Sequence, residues 1–501
     1  MEAFTQIKRV AIIGAGSAGL ATAKYLLAEK VFSKIVLFEQ RQEVGGVWNY
    51  SGSPSRPWQF DFTIPRVRPS QTVEKPVVQE DANNGTKKAI FPSPLYDYLE
   101  TNIPYSLMNF TDHRFPADSA LFPKFEVVKR YLDGYAEDVK HLVRLGTQVL
   151  QVSPESEAGR PIWKVISEDV ISQKRTEEQF DAVVCANGHY SDPFIPDIEG
   201  LKEFQQKYPD VISHSKYYRK PEVYADKKVL IIGNSASGLD ISTQISKVTP
   251  HVIVSEKEKP NVVHNPSTSI HYRPEITSFL PDRQSVRFAD GHVESDIDSV
   301  IFCTGYQYSF PFLQNLVLPV VTTGQRTNHV WEQVVYWPRP TLTFLTLPQR
   351  IVPFPVAEAQ AAYISRVYSG RVSLPSTEEM KAWEEARVQE KGDGKGFHDM
   401  MFPADAEYIN RLHNLSMSAA KIDERRLEND GAGKIPPYWG EEKQWVRQRI
   451  QKIKQVALSL GDKRLGIKSL QDLGFDYAAW KTEEKSLGLE KTQSKEAVCT
   501  A

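Results

Sequence analysis

Near its start the chain carries two short apolar runs separated by a glycine-rich turn and an apolar helical segment. Val10-Ala11-Ile12-Ile13 has no polar interruption and reads as a strand buried on both faces. Leu20 to Leu27 reads as a helix, and Ile35-Val36-Leu37-Phe38 as a second buried strand. The same order returns about 220 residues later, as a repeated strand–turn–helix–strand unit would require. Val229-Leu230-Ile231-Ile232 is the strand, and Leu239, Ile241, Ile245 and Val248 mark one helix face. His251-Val252-Ile253-Val254 is the following strand. No further internal repeat is visible.

Two other apolar strands close on glycine: Ala182-Val183-Val184-Cys185 before Gly188, and Val300-Ile301-Phe302-Cys303 before Gly305. Each has an aspartate just upstream, Asp181 and Asp298. Because they bracket the second unit, the chain is expected to leave a first domain near 188, build an inserted domain, and return near 300. This predicts an α/β protein with two Rossmann-like dinucleotide-binding domains, the second inserted into the first, and a helical C-terminal extension. The expected divisions are 1–190 and 301–375 for the first domain, 191–300 for the insert, and 376–501 for the extension.

Residues 51–125 are rich in proline (Pro54, Pro57, Pro65, Pro69, Pro76, Pro92, Pro94) and keep no period. Trp58, Phe60, Phe62, Phe91, Tyr96 and Tyr98 argue that this stretch packs as a cover, while Gln79 to Lys88 reads as mobile. Phe354 to Ser369 reads as a helix closed by Gly370. Ser376 to Glu379 spells a capping box ahead of Met380 and Trp383. Trp445, Ile450, Ile453, Val456 and Leu460 form a helical stripe that reads as packing surface.

The two turns carry the candidate chemistry. Gly14-Ala15-Gly16-Ser17-Ala18-Gly19 follows a strand and opens a helix, and Glu39 stands twenty positions after its last glycine. The glycines allow a tight turn and close approach of a pyrophosphate. The helix N-terminus offers N–H groups to that anion, and Glu39 can accept from a ribose hydroxyl. In the second turn, Gly233-Asn234-Ser235-Ala236-Ser237-Gly238, serine replaces the middle glycine but stays small enough for the same approach. At the end of that unit an acid would favour NADH, whereas Ser255 with Lys257 suits the extra phosphate of NADPH. The reading leans to NADPH, with Arg219 and Arg273 as further phosphate partners. The alternating Glu256, Lys257, Glu258 and Lys259 also read as a solvated loop.

With 501 residues, 41% of them hydrophobic and 25% charged, the chain reads as a soluble globular protein of two or three domains. A formal charge of −2 gives no reason to expect nucleic acid or an acidic membrane as partner. Cys185, Cys303 and Cys499 contain no CxxC pair and suggest neither a disulfide framework, nor a zinc site, nor a redox dithiol. Neither a signal peptide nor a run of about 18–20 apolar residues is present, and Cys499 is misplaced for prenylation. The cytosol is the expected location. Small apolar packing is the expected role of Cys185 and Cys303.

In this setting the residues resemble the flavin-containing monooxygenases, and among them the soluble fungal members. The first turn is followed by Gly45-Gly46-Val47-Trp48, similar to the family's glycine pair and tryptophan beside the flavin. Tyr96-Asp97-Tyr98-Leu99-Glu100-Thr101-Asn102 looks like the family's active-site asparagine segment. Gly233-Asn234-Ser235 resembles its NADPH turn, Cys303-Thr304-Gly305-Tyr306 its late strand, and Glu358, Gln360 and Ala361 its late helix. The family signature Phe-x-Gly-x3-His-x3-Tyr/Phe reads here Tyr208-x-Asp210-x3-His214-x3-Tyr218. Its first two positions depart, which puts the local turn in question more than the chemistry. Tyr218-Arg219 matches members acting on nitrogen and sulfur, where Baeyer–Villiger relatives carry a tryptophan.

The resemblance implies FAD on the first turn, with Gly46, Val47, Trp48, Thr101, Asn102, Val149 and Gln360 among its contacts, and NADPH on the second. It implies oxygen transfer from a flavin C4a-hydroperoxide to a soft nitrogen or sulfur nucleophile of a small molecule, with O2 as co-substrate. Asn102 is the catalytic candidate, since its amide can donate to one partner and accept from another. His214 reads as a structural histidine, and His113 and His189 as surface or loop residues. A homodimer is expected by analogy. The competing readings are a Baeyer–Villiger enzyme, an amine N-hydroxylase, a disulfide reductase, which the missing dithiol argues against, and a nucleotide-binding protein without activity.

Overall fold

The computed structural model describes residues 7–52, 64–80, 85–257 and 269–483. Pro54, Pro57, Trp58, Phe60 and Phe62 of the expected cover, Glu258 and Lys259, and Cys499 lie outside the described residues.

The apolar runs form two sheets. In the first, seven strands lie in the order Val330–Trp331, Val335–Tyr336, Leu342–Phe344, Ala182–Cys185, Arg9–Ile13, Lys34–Phe38, Val143–Arg144. The four strands from Ala182–Cys185 onward and Leu342–Phe344 are joined in parallel, and the remaining pairs antiparallel. The second sheet is wholly parallel, with five strands in the order Ile212–His214, Ser299–Phe302, Val229–Ile232, Val252–Ser255, Ile270–Arg273. Both central strands are fully buried at their apolar positions, as uninterrupted runs require.

One expectation changes. Ser299–Phe302 does not return to the first sheet; it pairs with Val229–Ile232, and the first sheet resumes only at Val330. The division expected at 300 therefore falls inside a strand of the second sheet. The two glycine-ending strands are counterparts: Ala182–Cys185 flanks Arg9–Ile13 as Ser299–Phe302 flanks Val229–Ile232. Their upstream aspartates play matching parts. Asp181 accepts from the backbone N–H of Lys8 and Arg9 at 2.8 Å, and Asp298 from that of Lys228 at 2.8 Å. Each carboxylate thereby ties down the start of the neighbouring strand.

The segment Gln79 to Lys88 is paired at both ends, and residues 81–84 within it lie outside the described residues. Val77–Glu80 and Lys87–Ile90 form an antiparallel ribbon with Glu80 opposite Lys87, a favourable cross-strand pair.

Helix Pro353–Tyr368 is buried at every position from Phe354 on, and it packs between helices Ser17–Ala28 and Ala404–Met417. A helix covered all round can be apolar all round; its Val356, Ile364 and Val367 each contribute about 1.5–3 kcal/mol of burial. Its polar residues are only partly satisfied, since Ser365 Oγ and Arg366 Nε are buried without a hydrogen-bond partner. Arg366 donates to the carbonyls of Ala362, Ala432 and Lys434.

The capping box forms as expected, with Ser376 and Glu379 bonded reciprocally. The Trp445 stripe is broken at Arg449 into helices Glu441–Gln448 and Ile450–Ser459, leaving Trp445 and Ile453 buried and Leu460 exposed. Among the described residues no helix is long and apolar enough to cross a membrane.

Candidate nucleotide-binding site

The first turn is held from three sides. Gly14 N–H donates to Phe38 O at 2.8 Å, and Gly45 N–H donates to Ala15 O at 2.9 Å. Glu39 stands one residue past the Ile13–Phe38 pair, and one carboxylate oxygen accepts from Ala15 N–H at 2.9 Å. Its other oxygen accepts from Arg41 N–H at 2.9 Å. A methyl on Gly19 would sit 1.9 Å from Gly14 O, so only glycine lets the helix start this close to the strand. Gly16 lies under Gly46, where an added Cβ would come 3.5 Å from the Gly46 Cα.

The second turn repeats this scheme. Gly233 N–H donates to Ser255 O at 2.9 Å, and a methyl on Gly238 would meet Gly233 O at 1.9 Å. Helices Ser17–Ala28 and Ala236–Ile245 begin at Gly16 and Ser235, neither of which caps its helix with a side chain. Both helix N-termini thus keep backbone donors for an anion.

A cavity of about 380 Å³ opens on the first turn, lined among others by Gly14, Gly16, Glu39, Gly46, Val47 and Val149. The glycine cradle, the uncapped helix and the ribose-height carboxylate fit an adenine dinucleotide. So does Asn187 on the cavity wall, whose Oδ1 is buried and unpartnered. A second cavity of about 350 Å³ is lined by Trp48, Tyr50, Phe91, Phe125 and Lys129, and the two cavities share Arg41. Trp48 stands edge-on to Phe354 at 6.3 Å.

The other expected site residues are distributed as follows. Ala15, Ser17, Ala18 and Gly19 build the first turn and its helix. Thr101 is buried, with its hydroxyl donating to Ile103 O at 2.9 Å, and Asn102 is exposed beside it; neither lines the two cavities. Gln360 is fully buried and off the cavity walls, accepting from Thr346 N–H at 2.8 Å and donating to the Tyr408 hydroxyl at 2.9 Å. Ser235 and Ala236 are exposed at the second turn, where Ser237 and Gly238 continue into the helix.

Two details around the second turn differ from expectation. Ser255 is buried and its hydroxyl donates to Pro274 O at 3.1 Å, so it faces inward. Arg219 is buried too, its guanidinium donating to the carbonyls of Gly52, Leu95, Lys216 and Tyr218. It clamps the loop and does not reach the turn as a phosphate partner would. Lys257 has an 81% exposed side chain, 3.8 Å from Glu275.

His214 is buried, accepts from Lys216 N–H at 3.1 Å and lies 3.1 Å from Gly305 O. Burial pushes its pKa down to about 3, so the neutral ring donates to Gly305 O. Asp210 is exposed and is not among the residues with positive φ, so this turn does not require the family's glycine. Burial also holds the Cys303 thiol at about 12 and raises that of Cys185.

Two cavity residues escaped the sequence reading. His189 lines the first cavity with its pKa pushed by burial down to about 4. Its position just past a strand's C-terminal end was the available signal, since ligands in α/β sheets bind at that edge. Lys216 is buried on the same wall, its ammonium 2.6 Å from Glu74 and donating to Ser191 O. Nothing in its local pattern marked it.

Comparison with known proteins agrees with this geometry. Residues 79–269 and 260–424 match the family described as flavin-binding monooxygenase-like, and residues 12–66 match an NAD(P)-binding Rossmann-like domain. The flavin-containing monooxygenase iboF of Amanita muscaria (strain Koide BX008) is 30% identical over 475 residues, covering 82% of this chain and 88% of its own. The Arabidopsis thaliana flavin-containing monooxygenase FMO GS-OX-like 4 is 32% identical over 74% of this chain and 78% of its own. The structure of S-allyl-L-cysteine S-oxygenase from Allium sativum superposes with a TM-score of 0.72, at 27% identity, over 95% of this chain and 99% of that one. The chain belongs to the flavin-containing monooxygenase family, oxidoreductases whose cofactors are FAD and NADPH.

Proposed function

We propose that this enzyme adds one oxygen atom of O2 to a soft nucleophile, sulfur or nitrogen, of a small molecule. The observation that carries the reading is the pair of turns with one hydrogen-bond scheme, the first opening on a cavity and the second on an exposed face. Sulfur is supported by the Allium sativum structure, named an S-oxygenase and similar over almost the whole chain.

In this reading Gly14 to Gly19, Glu39, Gly46, Val47, Trp48 and Val149 hold FAD, and Gly233 to Gly238 hold the nicotinamide nucleotide. FAD, when bound, supplies the hydride acceptor and the activation of O2. The protein's part is to bind, orient and exclude water. Backbone N–H groups of the two uncapped helices bind the pyrophosphates. Trp48, wedged against Phe354, and the apolar walls of the second cavity keep solvent from the reacting atoms. Asn102, exposed outside both cavities, is the candidate amide donor where oxygen is transferred, on the family resemblance alone. His214 stays neutral and structural. The enzyme acts in the cytosol, as a homodimer by analogy.

The test is NADPH consumption by the purified yellow protein with a thioether, a thiol, a tertiary amine and a cyclic ketone. Stimulation by sulfur or nitrogen compounds, with a product heavier by one oxygen, is expected. Stimulation by the ketone alone would replace this reading with Baeyer–Villiger chemistry.

A further inference from the structure

The strand registers identify which residue of the second unit corresponds to Glu39. In the first unit Ile13 is opposite Phe38, Gly14 N–H bonds Phe38 O, and Glu39 N–H donates to Arg144 O at 3.0 Å. In the second, Ile232 is opposite Ser255, Gly233 N–H bonds Ser255 O, and Glu256 N–H donates to Arg273 O at 3.0 Å. Ser255 is therefore the counterpart of Phe38, and the acid Glu256 is the counterpart of Glu39. The side chains agree with the register. Glu39 accepts from Ala15, the residue after the first glycine; Glu256 accepts at 2.9 Å from Nδ2 of Asn234, the residue after Gly233.

We propose that Glu256 reads the adenosine ribose at the second turn, and that this site admits NADH alongside NADPH. The inference rests on the second turn being the nicotinamide nucleotide site. In an adenine dinucleotide site an acid at this position accepts from the ribose hydroxyls, whereas a 2′-phosphate calls for a cation.

A second, independent observation points the same way. With Nδ2 of Asn234 committed to Glu256, its Oδ1 is left buried and without a partner. The turn thus presents two acceptors side by side, a carboxylate and an amide oxygen. Ribose hydroxyls can donate to both, but an ionised phosphate can donate to neither. Among the described residues, Lys257 and Arg273 at this end of the sheet do not reverse the balance. Lys257 lies 3.8 Å from Glu275, and Arg273 lies 3.9 Å from Asp290. Each already faces a carboxylate, so a 2′-phosphate would meet three acids and two bases among these five side chains.

The experiment is titration of the FAD-loaded enzyme with NAD+ and with NADP+, followed by calorimetry or tryptophan fluorescence, so that no turnover is needed. Wild-type Kd values for the two nucleotides within about tenfold of each other are expected. Glu256→Gln removes the charge but keeps an acceptor, and is expected to tighten NADP+ and weaken NAD+. Glu256→Arg is expected to shift the ratio by at least about tenfold further toward NADP+. A wild-type preference for NADP+ beyond tenfold, or a Glu256→Gln variant that moves both nucleotides alike, would overturn the inference. Binding of neither nucleotide would overturn the reading of the second turn itself, and retained FAD in each variant shows that the fold survives.

Discussion

Arg371 and Glu29 form an ion pair at 2.8 Å with side chains 0% and 2% exposed. The contact joins the first helix to the chain just past helix Pro353–Tyr368, and Arg371 also donates to the carbonyls of Ala420, Gly431 and Ala432. A buried pair adds little net stability over an apolar replacement, but removing one partner strands the other charge. Arg371→Ala is expected to cost about 3–5 kcal/mol. Chemical denaturation would register this as a lower midpoint, and an unchanged midpoint would contradict it.

The two third glycines provide a matched pair of tests. Gly19→Ala and Gly238→Ala each place a methyl 1.9 Å from a carbonyl oxygen, at equivalent points of the two turns. Gly19→Ala is expected to yield protein that retains little FAD. Gly238→Ala is expected to stay yellow but to bind NADP+ at least about tenfold more weakly. Absorbance at the flavin band and nucleotide titration distinguish the two outcomes.

Burial raises the Glu358 carboxyl from 4.5 to about 7, despite hydrogen bonds from Thr111. Because the folded value exceeds the unfolded one, the native state holds the extra proton between about pH 4.5 and 7. This group's contribution to stability is thus greatest below pH 4.5, falls as pH rises to 7, and is flat above. Glu358→Gln, which keeps an acceptor for Thr111 and Tyr25, should remove that slope. At pH 8 the variant should gain up to on the order of 3 kcal/mol over the wild type. Thermal melts at pH 5 and pH 8 check it, and parallel losses in both proteins would refute it.

Asn102→Ala is expected to bind FAD and consume NADPH but to lose oxygen transfer by about a hundredfold, the usual cost of one such donor. The readout is oxygenated product per NADPH consumed, with hydrogen peroxide released in its place. An undiminished product yield would remove Asn102 from the reaction.

Much of the architecture could be read in the sequence because buried parallel strands need uninterrupted apolar runs, and Val10–Ile13, Ala182–Cys185 and Val229–Ile232 supply them. Which sheet a strand joins was less legible. Ser299–Phe302 has the same composition whichever neighbour it takes, so only the three-dimensional pairing reveals its place. The same limit applied at the second turn. Counting along the chain made Ser255 the terminal residue of the unit, whereas pairing with Ile232 shows the serine hydroxyl turned inward and Glu256 facing Asn234. Arg219 is a candidate for its charge and Gln360 through the family resemblance, but burial commits their polar atoms elsewhere. Lys216 and His189 gained interest only once loops distant in sequence converged around one cavity.

The middle position of each turn has a consequence for how long a nucleotide stays. Gly16 is roofed by Gly46, whereas Ser235 is open to solvent. A dinucleotide seated on the first turn would be enclosed and would leave slowly, behaving as a permanent part of the enzyme. One seated on the second would exchange with each cycle, so the cover that Gly46 gives the first turn separates a resident from a visitor.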